Sequence, residues 1–248
     1  LDQMISMSVV NAFMGDEGWT FEPGDGVIED PINQATRMHQ VYTAAMPDYT
    51  GRVTVPVIWD KQTQTIVSNE SPEIIRMFNS AFDDVGAIPG DFSPPELLAE
   101  IDELNDFIYP NINNGVYRAG FATTEAAYKD AVADVFHGLD TLEERLAKQR
   151  YLTGDKITEA DWRLFTTLVR FDAVYVGHFK CNLRRIVDYP NLWGYLKDLY
   201  QVPGVAQTVH VEHCKAHYYG SHETINPTLI IPAGPVIDFM QPHDRASV

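Results

Sequence analysis

The sequence holds little cysteine, few basic residues and no long apolar run, and each scarcity excludes a class of protein. Its 248 residues include only two cysteines, Cys181 and Cys214, which excludes a disulfide framework and favours a reducing, cytoplasmic compartment. Eighteen Lys and Arg against 35 acidic residues give a net charge of -17. Such a charge repels phosphate backbones, so we expect no nucleic-acid partner. No apolar run approaches the roughly 20 residues that span a bilayer, so we expect no membrane partner.

The N-terminal end of the sequence has neither a Met at position 1 nor the basic region of a signal peptide. Residues 5–10 form a short segment with several β-branched side chains, which predicts a strand. Because the sequence begins inside what reads as a strand already under way, we expect that a preceding segment is missing from it.

Mixed strand and helix signals up to residue 84 predict a small α/β domain over residues 1–84. Proline and glycine are dense over residues 85–95, which predicts a linker there. The expected elements of this domain are a helix from Asp30-Pro31 to about residue 45, strands over residues 53–59 and 64–68 joined by a turn at Asp60-Lys61, and a helix over residues 70–82.

Beyond the linker only helical periodicity appears. It predicts an all-helical domain over residues 96–224 and a proline-rich tail over residues 225–248 that packs along the surface. Two capping boxes are expected, one at Ser93 with Glu96 and one at Thr158 with Asp161. The last helix is expected over residues 206–218.

The first chemical signal is Pro56, which lies inside a predicted strand. Proline removes a donor from the strand ladder. With a cis bond it would expose the backbone of Val55, to which a small peptide could pair like an added strand. An ordinary edge-strand proline is the alternative.

The second signal is a strand-to-helix turn that carries Glu70 and Ser71. A helix N-terminus offers free N–H groups and partial positive charge, which suit a carboxylate. Glu70 supplies a counter-charge for an amine and Ser71 a hydroxyl, so together they could hold a γ-glutamyl group. Simple capping by Asn69 or Ser71 is the alternative.

The order strand, proline, strand, Glu-Ser, helix resembles the glutathione-binding half of the thioredoxin-like domain in glutathione transferases. The resemblance is closest to the glutathionyl-hydroquinone reductases, the Xi class, and it extends from about residue 9 to residue 232. It implies a thioredoxin-like α/β domain, here without its first strand and helix, followed by an all-α glutathione transferase domain. The segments that carry it are residues 15–21, 51–60, 69–71, 113–120, 151–154 and 170–181.

The resemblance implies glutathione as cosubstrate, glutathionyl-hydroquinones as substrates and a homodimer. By resemblance Tyr117 donates or accepts the proton, and Tyr175 and Tyr218 lower a thiol pKa and help to bind the quinol. A packed, hydrogen-bonded core phenol is the alternative for each of these tyrosines. The implied glutathione-binding residues are Trp19, Arg52, Val53, Thr54, Val55, Glu70 and Ser71.

The nucleophile of this family is a cysteine in a Cys-Pro-Trp-type motif, which the resemblance implies ahead of Leu1. Neither Cys181 nor Cys214 takes its place in the sequence. We expect a reductase whose nucleophile precedes Leu1. A non-catalytic binder of glutathione or quinones on the same scaffold is the alternative, and so is a conventional transferase, although the Tyr or Ser that such chemistry needs near the first strand is absent too.

A metal site is a further alternative. His210, His213, Cys214 and His217 fall on one helical face, with His222 beyond. Imidazole and thiolate can bind zinc. This spacing matches no established zinc motif, so we expect no metal.

Overall fold

The computed structural model describes residue 1 and residues 4–88 and 90–248. Pro89, within the predicted linker, lies outside the described residues. The chain divides into two compact units, Leu1–Asp91 and Phe92–Val248, and each has an apolar core of its own. No helix of the described part of the chain combines the length and the apolar character that a membrane crossing requires.

The first unit consists of a β-hairpin, two helices and long irregular segments. Strands β1 (Ile58–Asp60) and β2 (Thr65–Ser68) pair antiparallel. The Asp60 carboxylate accepts a hydrogen bond from the Gln62 N–H at 2.8 Å and so holds the turn between them. Helices α1 (Met38–Ala45) and α2 (Ser71–Ser80) flank the hairpin in sequence.

Three predictions for this unit are wrong. The strand expected over residues 53–59 begins only at Ile58, because Pro56 lacks the N–H that a strand ladder needs. Residues 5–10 form no strand, because Val9 pairs only with Ile28 in an isolated bridge and no neighbouring ladder extends it. The helix expected from Asp30 begins only at Met38. Asp30 does accept the Ile32 N–H at 3.0 Å, but Gln34 has a φ of 53°, and a left-handed residue ends a right-handed turn.

The second unit is built from helices and the loops that connect them. Helix α5 lies at its centre, and the side chains of Val135, Leu139 and Leu142 on that helix are fully buried. Wide π-turns over Tyr109–Asn113 and Phe171–Tyr175 follow two of the helices. The helices are α3 (Leu98–Ile108), α4 (Gly115–Gly120), α5 (Glu125–Leu146), α6 (Glu159–Arg170), α7 (Pro190–Tyr200) and α8 (Val211–Ser221).

Of the two expected capping boxes, the one at Thr158 with Asp161 is confirmed. The Asp161 carboxylate accepts the Thr158 N–H at 2.7 Å. The box at Ser93 is wrong, since α3 begins later, at Leu98, without a side-chain cap. The Ser93 hydroxyl donates instead to the buried Glu159 carboxylate at 2.9 Å, because a buried carboxylate requires donors.

The C-terminal end of the helical unit differs from expectation at one point. Helix α8 begins at Val211, not at residue 206, because residues 206–208 form a separate 3-10 turn. The tail then packs on the unit: Phe239 stacks on Tyr200, and the Arg245 guanidinium donates to the Leu146 carbonyl at the end of α5 at 2.8 Å.

Candidate functional site

In the first unit the backbone of Val55 is exposed next to a cis peptide bond. The Val55-Pro56 bond is cis, as one of the two interpretations of this proline required. Val55 is 38% exposed, and its N–H and C=O form no hydrogen bond with any residue that the structure describes. These two groups are therefore available to an extended peptide.

The residue before Val55 is held from two sides. The Tyr42 hydroxyl donates to the Thr54 carbonyl at 2.9 Å and accepts from the Thr54 N–H at 3.3 Å. The Asn69 amide nitrogen lies 3.1 Å from the Tyr42 hydroxyl and 3.1 Å from the Thr54 Oγ1. Asn69 directly precedes the Glu70-Ser71 turn, so this network brings the two predicted halves of the binding site together.

The start of α2 leaves N–H groups without partners inside the helix. Glu70 is its N-cap but makes no side-chain cap, and Pro72 follows Ser71. Both Glu70 and Ser71 are exposed. The Ser68 hydroxyl orders the turn by accepting the Glu70 N–H at 3.1 Å and donating to Glu73 at 2.8 Å. Capping by Asn69 or Ser71 is therefore not the role of either side chain.

The remaining predicted glutathione-binding residues also belong to this unit. Trp19 and Val53 pack, partly buried, against the same apolar cluster as Tyr42. Arg52 is exposed, and its carbonyl accepts the Tyr49 hydroxyl at 2.7 Å. The backbone of Arg52 is thus held in place, and its exposed guanidinium is free to reach an anion.

In the second unit the structure brings the three predicted tyrosines into one cluster. Tyr117 lies on α4, Tyr175 ends the π-turn after α6, and Tyr218 lies on α8. The Tyr218 hydroxyl is hydrogen-bonded to the Tyr117 hydroxyl and lies 3.1 Å from the Tyr175 hydroxyl. A single phenol therefore joins the other two.

The close approach of these rings depends on the lack of a side chain at Gly120. A Cβ at that position would lie 2.0 Å from the ring of Phe179. With glycine there, Phe179 packs edge-on against Tyr117 and stacks on Tyr175, at ring-centroid separations of 5.4 and 5.5 Å.

Burial controls the ionisation of the cluster. Because they are buried, the pKa values of Tyr117, Tyr175 and Tyr218 are all raised above the ordinary value for tyrosine. Burial lowers the pKa of the Arg170 guanidinium, but the negative charges that Tyr175, Tyr218 and Cys214 would carry when ionised raise it by more, so that its pKa is raised overall and the guanidinium stays charged. At neutral pH the cluster is a set of protonated phenols beside one cation.

The cysteines and histidines form no metal site within the described residues. No group of three or more His, Cys, Asp or Glu side chains is arranged there to hold an ion. His178 and His222 do meet, with 3.1 Å between Nε2 and Nδ1. Cys181 is fully buried, and burial raises its thiol pKa to about 12. Burial also raises the pKa of Cys214.

Three residues of these two arrangements were not predicted as site residues: Tyr42, Asn69 and Arg170. The contacts of Tyr42 and Asn69 join positions 12 to 27 residues apart, which no local pattern reveals. Arg170 is a charged residue that follows Leu168 and Val169 directly before the π-turn, and that placement was the available signal.

Comparison with known proteins shows the family to which the chain belongs. A family described as "Glutathione S-transferase, C-terminal domain" matches residues 125–198. The chain is 60% identical over 235 residues to the glutathionyl-hydroquinone reductase PcpF of Sphingobium chlorophenolicum, which covers 95% of this chain and 75% of the relative. It is 57% identical over 246 residues to the glutathionyl-hydroquinone reductase YqjG of Escherichia coli, covering 99% of this chain and 75% of the relative.

Solved structures extend the likeness to three dimensions. Glutathione-bound YqjG superposes with a TM-score of 0.97 at 57% identity, over 99% of this chain and 80% of that one. A Xi-class transferase from Natrialba magadii superposes with a TM-score of 0.98 at 47% identity, over 100% of this chain and 76% of that one. The predicted fold class, a thioredoxin-like α/β part and an all-helical glutathione transferase part, is thereby confirmed. The chain belongs to the glutathionyl-hydroquinone reductases, the Xi class of the glutathione transferase superfamily, and is an enzyme of that superfamily.

Proposed function

We propose that the chain serves the glutathione-dependent reduction of glutathionyl-hydroquinones to hydroquinones. The observation that carries the proposal is the single hydrogen-bonded cluster formed by Tyr117, Tyr175 and Tyr218. A buried phenol in a protein core needs only one hydrogen-bond partner. Three phenols that are hydrogen-bonded to one another beside a cation can instead transfer a proton. The names of the relatives supply the substrate class.

Glutathione is proposed to bind along the exposed edge of the first unit. Its peptide pairs with the unoccupied N–H and C=O of Val55, and its γ-glutamyl end meets the turn that leads into α2. Arg52 pairs with the glycyl carboxylate, and Trp19 covers the peptide. The proposed binding residues are Trp19, Arg52, Val53, Thr54, Val55, Glu70 and Ser71.

The proposed reaction has two steps. A cysteine thiolate attacks the sulfur of the conjugate, which forms a mixed disulfide with glutathione and breaks the bond between that sulfur and the ring carbon. The ring carbon keeps the electron pair and takes a proton from the Tyr117 hydroxyl. A second glutathione then gives up its thiol proton, which restores the Tyr117 hydroxyl, and its sulfur attacks the glutathione sulfur of the mixed disulfide, which releases glutathione disulfide and restores the cysteine thiolate. The quinol carbon is reduced, and two glutathione sulfurs are oxidised.

Neither cysteine of the sequence is suited to be the nucleophile. Cys181 is fully buried with a pKa raised to about 12, and burial likewise raises the pKa of Cys214, whereas attack requires an accessible thiolate. The proposal therefore takes the nucleophile from the Cys-Pro-Trp-type motif that the resemblance implies ahead of Leu1.

The test measures hydroquinone and glutathione disulfide released from a glutathionyl-hydroquinone and glutathione. Two proteins are compared. The first is the chain extended ahead of Leu1 by a segment that carries the Cys-Pro-Trp-type motif, and the second is the same extended chain with the cysteine of that motif changed to serine. We expect equal amounts of the two products from the first protein and none from the second. Glutathione binding without turnover in both would overturn the proposal in favour of a non-catalytic binder.

The proposal also includes a homodimer, which rests on the resemblance alone, and a cytoplasmic location, which rests on the low cysteine content. Light scattering on the purified protein would give twice the mass of one chain. A monomer at micromolar concentration would contradict this part of the proposal and leave the chemistry untouched.

A further inference from the structure

Tyr42 and Asn69 hold the segment that precedes the cis peptide bond, and nothing in the resemblance assigns them a role. We propose that both are positioning residues for glutathione: they fix the Thr54 peptide so that the N–H and C=O of Val55 stay unpaired and correctly aimed. The proposal rests on the proposed function, because it concerns the same binding edge.

The Tyr42 hydroxyl uses its full hydrogen-bonding capacity. A phenol has one donor and two acceptor positions. The donor faces the Thr54 carbonyl at 2.9 Å, and the acceptors face the Thr54 N–H at 3.3 Å and the Asn69 amide at 3.1 Å. With only 3% of its surface exposed, Tyr42 has no water to replace a lost partner.

Asn69 extends the same network to the other half of the binding edge. Its amide nitrogen also lies 3.1 Å from the Thr54 Oγ1, and its own backbone leads directly into Glu70 and Ser71. One network therefore sets the spacing between the Val55 backbone and the start of α2. A ligand that spans both gains affinity when that spacing is set before it binds.

A merely structural role for Tyr42 would look different. Loss of a buried hydroxyl lowers stability wherever it occurs, whereas loss of a positioning hydroxyl weakens only those ligands that pair with Val55. The useful probe is a glutathione analogue methylated on its cysteinyl amide nitrogen, since that group cannot donate to the Val55 carbonyl.

The experiment titrates glutathione and this analogue into the full chain by calorimetry. We expect Tyr42→Phe to bind glutathione about three- to tenfold more weakly than the wild type does. The analogue should bind to Tyr42→Phe and to the wild type with nearly the same affinity. Tyr195→Phe is the matched control, because it removes a fully buried phenol hydroxyl that donates to Asp161 at 2.8 Å in the other unit. It should lower stability and leave both affinities unchanged.

Two results would overturn the inference: wild-type affinity for glutathione in Tyr42→Phe, or an equal loss for both ligands. Asn69→Ala serves if Tyr42→Phe does not fold, since it leaves the bond between Tyr42 and the Thr54 carbonyl in place, and it should show a smaller loss with the same selectivity. Equal affinities in Asn69→Ala and the wild type would also overturn it. Failure of the wild type to bind glutathione would instead sink the proposed function.

Discussion

The hydroxyl groups of Tyr175 and Tyr218 lie 3.1 Å apart although 43 residues separate them in the chain. Tyr218 also bonds to Tyr117, which is 101 residues away. Three segments of the helical unit thus meet in one hydrogen-bond network. The catalytic role and the ionisation of its tyrosines can each be tested by single substitutions.

Removal of the Tyr117 hydroxyl should abolish most of the reductase activity. Tyr117→Phe, in a protein that carries the nucleophilic cysteine, is expected to lower kcat about 100-fold or more, because a positioned acid contributes about that much. Steady-state assays of hydroquinone release measure it. Tyr219→Phe is the control, since its hydroxyl faces the Val174 carbonyl at 3.4 Å and lies outside the cluster. Equal losses in the two variants would contradict the role of Tyr117.

The phenol cluster should stay protonated well into the alkaline range. Burial raises the pKa of all three tyrosines above the ordinary value for tyrosine, about 10, so a rise in pH to 10 should ionise exposed tyrosines and not these. The measurement is phenolate absorbance near 295 nm in the wild type and in Tyr218→Phe. We expect identical titrations up to pH 10, and an earlier difference would show that the cluster ionises more easily than its burial implies.

The His178 imidazole should make the protein less stable in mild acid. Burial, and then the neighbouring His222, lower the pKa of His178 to about 4, below its unfolded value near 6.5. Between those values the unfolded chain binds the proton and the folded chain does not, so the free energy of unfolding falls as pH falls, by up to about 1.4 kcal/mol per pH unit.

Urea unfolding of the wild type and of His178→Gln at pH 7 and pH 5 checks this linkage. The variant should lose less stability than the wild type between the two pH values. Some dependence should remain, because burial also lowers the pKa of His222. A wild-type stability that is independent of pH over this interval would contradict the assignment.

The Asp161 carboxylate should be a main support of the helical unit. It is fully buried and accepts from the Thr158 N–H at 2.7 Å, the Leu152 N–H at 2.9 Å and the Tyr195 hydroxyl at 2.8 Å. Asp161→Ala leaves these donors unpaired, together with the Thr158 hydroxyl, which donates to the same carboxylate at 3.0 Å, and it is expected to cost about 3 kcal/mol or more. Chemical denaturation measures the loss. Asp161→Asn, which keeps the shape and one acceptor, should cost less, and equal costs would show that the retained amide oxygen does not replace any of the carboxylate's hydrogen bonds.

Local sequence patterns predicted the helical unit better than the α/β unit. The apolar repeat of α5 and the box of Thr158 with Asp161 follow from neighbours three to four residues apart, and both are found. The β-branched residues 5–10 carry a strand signal, but a strand exists only where a partner offers a ladder, and Val9 meets only Ile28. The late start of α1 depends on the left-handed backbone of Gln34. A glutamine gives no sequence signal for that conformation.

The candidate site was predicted in part for the same reason. The local backbone chemistry of the sequence predicted Pro56, Glu70 and Ser71 as site residues. The three tyrosines were predicted from the resemblance to the family. Tyr42 and Asn69 act through side-chain contacts that only the folded chain creates. Their hydrogen bonds leave no periodic trace in the sequence.

A titration of the isotopically labelled chain with glutathione, followed through its backbone amide resonances, tests the proposed binding edge. We expect saturable shifts at the amides of Val55, Glu70 and Ser71, and smaller ones at Thr54. Saturable shifts confined to other residues, or no shifts at millimolar glutathione, would contradict the assignment of this edge as the glutathione site.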